Sequence, residues 1–515
     1  MKWRPVRISL RMILMLIASL ALLFCIAGAA SAEFSGAGTQ ANPYQIATLE
    51  DLTRLSENIQ QFQDAHFLLI TDITITGNWQ PIGNSRYPFT GAFDGNGHTI
   101  TMRNVAFINS VFFALFDHIG DGGTVKNLTM EGVITGDYAT SSIAGGNAGG
   151  TIENCKNNAE ITGKGITGGI VCYNYGTITD CTNNGNVSST TNVVGGIAGY
   201  NSTGVISDCM NNGSVSGASS YVGGIVGENA GDGKITGCIN NGSVSGTSNY
   251  VGGISGCNTQ SVITDCANTG SINGNESVGG VVGQNYAYNV ISDCANTGEV
   301  NGTAYTGSIV GQNSTQGNIS NCYYLDLTGA PSGINGYEIL GQAEARTAAR
   351  FASGEVTHLL QHARTSLVWG QTLGNGEVDG LPRLVHFDVA AKRVFKVTFF
   401  LNDEAIDTSY ANADYIPFSV LSNLPNLSED YTYIWHIGSD NGPVFDPMTR
   451  QLTKDESLYA ELVGFSEEHG GETPAPDAVP RTGDDTPLAL WVVMSLLAAC
   501  AIGNAVKELR YMRGA

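Results

Sequence analysis

V-I-S-D-C-M-N-N-G-S-V-S-G, running from Val205 to Gly217, returns at Val290 to Gly302 and, with drift, at Thr151 to Gly163. Its cysteine is one of seven, Cys155, Cys181, Cys209, Cys238, Cys266, Cys294 and Cys322, spaced by 26, 28, 29, 28, 28 and 28 residues. Between the cysteines lies a second signature, Y-V-G-G-I-V-G-E-N at Tyr221 to Asn229. Its central apolar residue recurs as Ile143, Ile170, Ile197, Ile225, Ile254, Val281 and Ile309. A period of about 28 residues with at least two apolar segments per period indicates a repeat array.

The segments are short, rich in β-branched residues and punctuated by Asn-Gly and Gly-Gly, which favours strands joined by tight turns. Helical repeats are disfavoured, because each glycine inside a helix costs about 0.5 to 1 kcal/mol. A right-handed parallel β-helix with coils of about 28 residues is the expected fold, with like residues of successive coils aligned in ladders about 4.8 Å apart. The diverged repeat T-V-K-N-L-T-M-E-G-V-I-T-G, Thr124 to Gly136, carries Leu128 in the cysteine slot. A slot that accepts leucine or cysteine is expected to face inward, making the seven cysteines a buried column of free thiols rather than a disulfide set. Period-two alternation then turns Asn211 and Val215 inward, gives an amide ladder at Asn183, Asn211, Asn240, Asn268 and Asn296, and leaves Asp208 outside.

Around this array the chain divides into a signal peptide (1–32), an N-terminal cap (33–65), the solenoid (66–330), a helical C-terminal cap (331–390), a small β domain (391–463), a linker (464–478) and a terminal signal (479–515). Thr48 is placed to cap a helix with Leu49, Leu52, Leu55 and Ile59 on one side. Ala343 to His362 reads as helical, with Trp369 and Pro382 closing the solenoid's far end. Alternation at Val397 to Leu401 and Tyr431 to Trp435 marks the small β domain.

The repeats resemble the GLUG motif, seen as Gly224-Ile225-Val226-Gly227 and its equivalents from Phe112 to Asn321. F-T-G-A-F-D-G-N-G-H-T-I, Phe89 to Ile100, is similar to the coils that precede such repeats in bacterial surface proteins, and the region from Phe395 to Val463 resembles the β-grasp-like Listeria-Bacteroides repeats. Together these imply a GLUG-motif repeat surface protein of Gram-positive type.

Both chain ends suit that address. Lys2, Arg4, Arg7 and Arg11 precede an apolar run, Met12 to Ala27, and small residues offer cleavage between Ala32 and Glu33. Val479-Pro480-Arg481-Thr482-Gly483, an apolar run from Pro487 to Gly503, and Lys507, Arg510 and Arg513 resemble an LPXTG-like sortase signal, with Val479 where the family usually has leucine. The resemblance implies transient membrane insertion of the C-terminal helix, cutting between Thr482 and Gly483 by sortase, and covalent transfer of Thr482 to peptidoglycan.

Composition narrows the function. Glycine supplies 67 of 515 residues without an every-third period and with 14 prolines, which excludes collagen. A charged fraction of 14% against 42% hydrophobic residues excludes a mainly disordered chain. The net charge of −22 makes nucleic acid a poor partner.

Catalytic patterns are thin. His358 and His362 have zinc-ligand spacing, but Leu359 occupies the place of the glutamate base. GLUG-like repeats also accompany zinc metallopeptidases that cleave IgA; that activity is not carried over, and no metal or cofactor is expected. Lys234 is the one Lys or Arg between Gly165 and Ala345, which argues against lysis of acidic glycans. Outward Asp pairs on adjacent coils, Asp180/Asp208 and Asp265/Asp293, are the candidates for a glycosidase's two carboxylates, although a solvated acidic face supplies such pairs without function. The expectation is a wall-anchored, non-catalytic adhesin or stalk that binds a host glycan or matrix ligand, with Tyr200, Tyr221, Tyr250 and Tyr305 as aromatic contacts; the alternative is a carbohydrate-active enzyme.

Overall fold

A computed structural model of the chain describes residues 34–464, apart from 192, 219, 315–316, 328–330, 336, 363, 375–379, 414–430 and 447–450. The expected signal cleavage at Ala32 and Glu33 and the sorting signal from Val479 to Gly483 lie outside the described residues.

From Thr151 to Asn313 each coil is built from five short strands, where the sequence pattern requires at least two. In the coil that begins at Val205, sheet I takes Val205–Ser207, sheet II Met210–Asn211, sheet III Val215–Gly217, sheet IV Val222–Gly223 and sheet V Val226–Ala230. The next coil repeats this in parallel and in register, with Ile206 beside Ile235, Asn211 beside Asn240, Val215 beside Val244, Val222 beside Val251 and Asn229 beside Asn258. Sheet I runs to eleven strands and sheets IV and V to eight each. The fold is therefore mainly β, a parallel solenoid with coils about 28 residues apart.

Two apolar columns hold the coils. The larger lies among sheets I, II and V, where Ile178, Cys181, Ile197, Ala198, Ile206, Cys209 and Ile225 belong to one continuous buried cluster. The smaller fills the space between sheets III and IV with Val187, Val194, Val215, Val222, Val244, Val251, Ile272 and Val278. Each fully buried valine or isoleucine contributes about 1.5–3 kcal/mol relative to exposure, and each coil supplies several.

Buried amides bond from coil to coil. Asn183 donates from Nδ2 to Asn211 Oδ1 at 2.7 Å, and Asn211 donates to Asn240 Oδ1 at 2.7 Å while also reaching Gly213 O at 2.8 Å. The ladder continues through Asn268 and Asn296. A second ladder, absent from the sequence reading, links Asn147, Asn174, Asn201, Asn229, Asn258, Asn285 and Asn313 along sheet V at 2.7–3.1 Å. Close coil stacking also fixes glycines at the turn after sheet II, where a Cβ on Gly213 would stand 1.9 Å from Gly185 O.

The ends depart from expectation. Thr48 does cap the helix Leu49–Glu57 through a reciprocal pair with Asp51, burying Leu52 and Leu55. Sheet I nevertheless starts inside the expected cap: Tyr44–Ile46 pairs with His66–Leu69, which pairs with Ala92–Asp94. Ala343–Arg346, expected to be helical, is a strand paired with Cys322–Leu325; backbone hydrogen bonds to the open sheet edge outweigh the helix propensity of alanine. Helices Ala348–Ala352 and Glu355–Gln361 follow.

The chain separates into two compact units, the solenoid with residues 359–369 and 383–389 forming one, and residues 352–358, 370–382 and those from 390 onward the other. The second unit contains a four-stranded mixed sheet in the order Glu404–Ala411, Phe395–Leu401, Glu456–Gly464, Tyr431–Ile437. Asn402 and Asp403, both at positive φ, turn the first hairpin. Val397, Phe399, Trp435, Phe445 and Leu458 form its core.

Candidate functional site

The outward aspartates mark a backbone corner between sheets I and II. Asn127, Asn154, Asp180, Asp208, Gly237, Asp265, Asp293 and Asn321 occupy it in successive coils, all with φ between 49° and 64°. The left-handed conformation favours Asn, Asp and Gly, so geometry alone accounts for the residue types, including the Gly237 that interrupts the acidic series.

The sequence reading of this row as a solvated acidic face is corrected by what lies against it. Arg364 bridges two coils, with Nη1 2.6 Å from Asp265 Oδ1 and Nη2 on Asp293 Oδ2. Trp369 Nε1 donates to Asp265 at 3.0 Å, and His362 Nε2 lies 2.6 Å from Asp293. His386 Nε2 stands 2.7 Å from Asp180. Trp369, expected to close the far end, instead packs beside the coil of Asp265. The side chains of Asp265 and Asp293 are only 14% and 12% exposed. Burial raises the pKa of Asp293, opposed by Arg364 and His362, and burial likewise raises Asp208. A guanidinium across Asp265 and Asp293 occupies the space between them where a scissile bond and water would have to enter, so this pair is a structural clamp.

The cysteine column has no chemistry in reach either. Cys155, Cys181, Cys209, Cys238, Cys266, Cys294 and Cys322 are free thiols with no solvent exposure, and each donates to the carbonyl two residues earlier at 3.1–3.3 Å. Burial pushes Cys155, Cys209, Cys266, Cys294 and Cys322 well above the usual thiol range. It is also the largest influence at Cys181 and Cys238, where bonds from neighbouring thiols pull the other way. Thiolates stacked one coil apart, with no cation beside them, would repel one another, so the column is protonated. Cys172, in the glycine-rich strand, is pushed to about 12 by burial.

His358 lies 3.5 Å from Asp455 and 3.3 Å from Val394 O, while His362 serves Asp293. Among the described residues no three His, Cys, Asp or Glu side chains gather as a metal site.

Sheets IV and V meet at a sharp crease, and beside it two rows of aromatic and polar residues run from coil to coil. The crease needs glycine: a Cβ on Gly256 would lie 2.6 Å from Val222 N and 2.7 Å from Tyr250 O. On the sheet V wall, register aligns Tyr173, Tyr200, Glu228, Cys257, Gln284 and Gln312. On the sheet IV wall, Tyr221, Tyr250, Ser277 and Tyr305 each precede the aligned residues Val222, Val251, Val278 and Thr306. Tyr221 and Tyr250 stack with centroids 5.2 Å apart and planes 15° from parallel; Tyr173 and Tyr200 meet edge to face at 6.3 Å. The walls touch: burial raises Tyr221, with Cys257 and Glu228 adding to the shift, and Ser277 Oγ donates to Gln312 Oε1 at 3.2 Å. Burial also raises the carboxyl of Glu228.

Comparison with known proteins agrees with the repeat geometry. The GLUG motif matches residues 247–273 and 274–301. A protein provisionally named a Gly-rich membrane protein, from Evansella cellulosilytica, is 35% identical over 114 residues, which is 20% of this chain and 12% of that protein. Halomucin of Haloquadratum walsbyi is 32% identical over 129 residues, 23% of this chain and 1% of its own length. A solved structure from Bacteroides ovatus, provisionally named an immunoglobulin A1 protease, aligns with 68% of this chain and 94% of its own at 20% identity and a TM-score of 0.34. This chain thus carries GLUG repeats within a parallel β-solenoid.

Proposed function

We propose that this protein is a non-catalytic surface adhesin, exported, joined to the cell wall at Thr482, and held out from the cell as a β-solenoid that binds an external ligand. The observation that carries the reading is the register of sheets IV and V, which repeats outward-facing groups coil after coil as an extended contact surface. Support for a surface location comes from the two sequence signals and from relatives named for a membrane and for a mucin-like protein. The glycosidase alternative loses its best pair of carboxylates to Arg364.

Fractionation of the producing cells tests this directly. The intact protein belongs in the material released by wall digestion, and Thr482→Ala shifts it to the membrane and medium. Recovery in the cytoplasm, or wall attachment unchanged by Thr482→Ala, overturns the anchoring. Adhesion is tested separately by binding of the purified protein to cells and matrix.

A further inference from the structure

Sheet III turns an uncharged polar face to solvent. In the coil of Val215 the outward positions are Asn212, Ser214, Ser216 and Ala218, all exposed and alternating with the buried Gly213, Val215 and Gly217. The coil before it and the two after it place only Asn, Ser or Thr at the equivalent positions, so four positions in each of four coils carry no charge. By contrast, Glu228 interrupts the outward row of sheet V and Lys234 that of sheet I. In a chain with a net charge of −22, a second copy can approach such a panel without setting carboxylates against carboxylates.

The panel is ordered along the axis. Asn212 Nδ2 donates to Asn184 Oδ1 and Asn241 Nδ2 to Asn212 Oδ1, both at 2.9 Å, and Ser243 Oγ donates to Ser214 Oγ at 3.2 Å. A primary amide has two N–H groups and two carbonyl lone pairs, so a ladder that takes one of each leaves Asn212 with a donor and an acceptor for an outside partner. A face that offers both complements a copy of itself. The copy repeats at the same coil spacing of about 4.8 Å, so the two faces match wherever one coil stands opposite another.

We infer that the sheet III panel is a homotypic docking face, which meets the sheet III panel of a second copy displayed on a neighbouring cell. Four coils span about 19 Å along the axis, and the residue steps from Asn212 to Ala218 about 20 Å across it, an area of about 400 Å² per copy. Two copies together bury about 800 Å², below the range of about 1,200 to 2,000 Å² for stable complexes. A single pair is therefore transient, and the contact holds where many copies face one another at two cell surfaces. The inference goes beyond the adhesin reading, whose contact rows lie on sheets IV and V, and rests on it for display at the cell surface.

The test mixes producing cells labelled in one colour with producing cells, or with cells lacking the gene, labelled in another. Producing cells form mixed clusters that exclude cells lacking the gene, and the clusters grow as sodium chloride rises from about 0.02 to about 0.5 M, because salt screens the repulsion between the acidic bodies. Ser216→Glu with Ser245→Glu sets carboxylates of the two copies against each other and lowers the clustered fraction about tenfold at low salt, as does the isosteric Asn212→Asp with Asn241→Asp. Ser207→Glu with Thr236→Glu adds the same charge to one row of sheet I and leaves clustering unchanged. Beads coated with equal amounts of each purified protein repeat the comparison independently of display, and circular dichroism checks that each variant keeps its strand content. Clusters that recruit cells lacking the gene equally, clustering that falls with salt, clustering that survives both sheet III variants, or an equal loss in the sheet I variant overturns the inference. If producing cells bind matrix without clustering, this face is excluded and the adhesin reading stands; if they do neither, both fail.

Discussion

Removing Arg364 should release the segment that covers the aspartate row, by an amount that the geometry sets. In Arg364→Ala, Asp265 and Asp293 face each other from adjacent coils with no guanidinium between them. Two carboxylates one coil spacing apart, about 5 Å, repel by about 3 kcal/mol at an effective dielectric constant near 20. Arg364 is 27% exposed, so solvent screening reduces the net effect to about 2 kcal/mol, or roughly a 30-fold change in the opening equilibrium. Hydrogen exchange of peptides spanning 359–369 reads that change. The pH dependence provides a second check. Burial raises Asp293 in the folded protein, so its contribution is complete below the ordinary carboxylate pKa and is lost as pH rises through the raised folded value. Arg364 opposes that shift in the native chain, so its removal enlarges the loss. The ratio of native to variant protection should therefore be largest at neutral pH and fall as the pH is lowered and Asp293 takes up its proton. Equal exchange in the two proteins, or a ratio that does not change with pH, would refute the clamp.

Three further outcomes follow from the coil packing. Asn211→Ala leaves the Asn240 carbonyl without its 2.7 Å donor and Asn183 without its 2.7 Å acceptor, and should cost about 3 kcal/mol in urea unfolding; a cost below about 1 kcal/mol would show that water or relaxation replaces the ladder. Gly227→Ala places a Cβ 2.8 Å from Gly199 O and 2.9 Å from Tyr221 O, backbone atoms on both sides of the crease, and should lower the melting temperature by several degrees; an unchanged melting temperature would mean that the crease is open. The seven buried column thiols should resist a thiol reagent at pH 9 in the native protein and react after denaturation, as should Cys172, which burial pushes up to about 12; rapid native labelling would place them at the surface.

What the sequence made legible was whatever recurs on one side of a strand. The cysteine slot, its leucine substitute at 128, and the amide ladder through Asn211 follow from period-two alternation, and the structure buries all of them. The second amide ladder was not legible because each of its asparagines follows a variable residue, as in Tyr200-Asn201 and Glu228-Asn229. The fate of the aspartates was not legible at all. Their partners Arg364 and Trp369 lie 99 and 104 residues beyond Asp265, and nothing local announces that contact. The strand at Ala343–Arg346 failed for a related reason, since only the open edge at Cys322–Leu325 makes it extended. The sequence offers the tyrosines as aromatic contacts, but the left-handed backbone of Tyr221, Tyr250 and Tyr305 belongs to the folded coil.

Spin labels at Thr162→Cys and Asn301→Cys test the stacked coils most directly. These positions share one outward row of sheet III through Ser188, Ser216, Ser245 and Asn273. Although 139 residues separate them in sequence, five coil spacings place their backbones about 24 Å apart. A narrow distance distribution near that value by pulsed electron resonance is the expected result, and a broad distribution or one centred far from it would contradict the in-register solenoid.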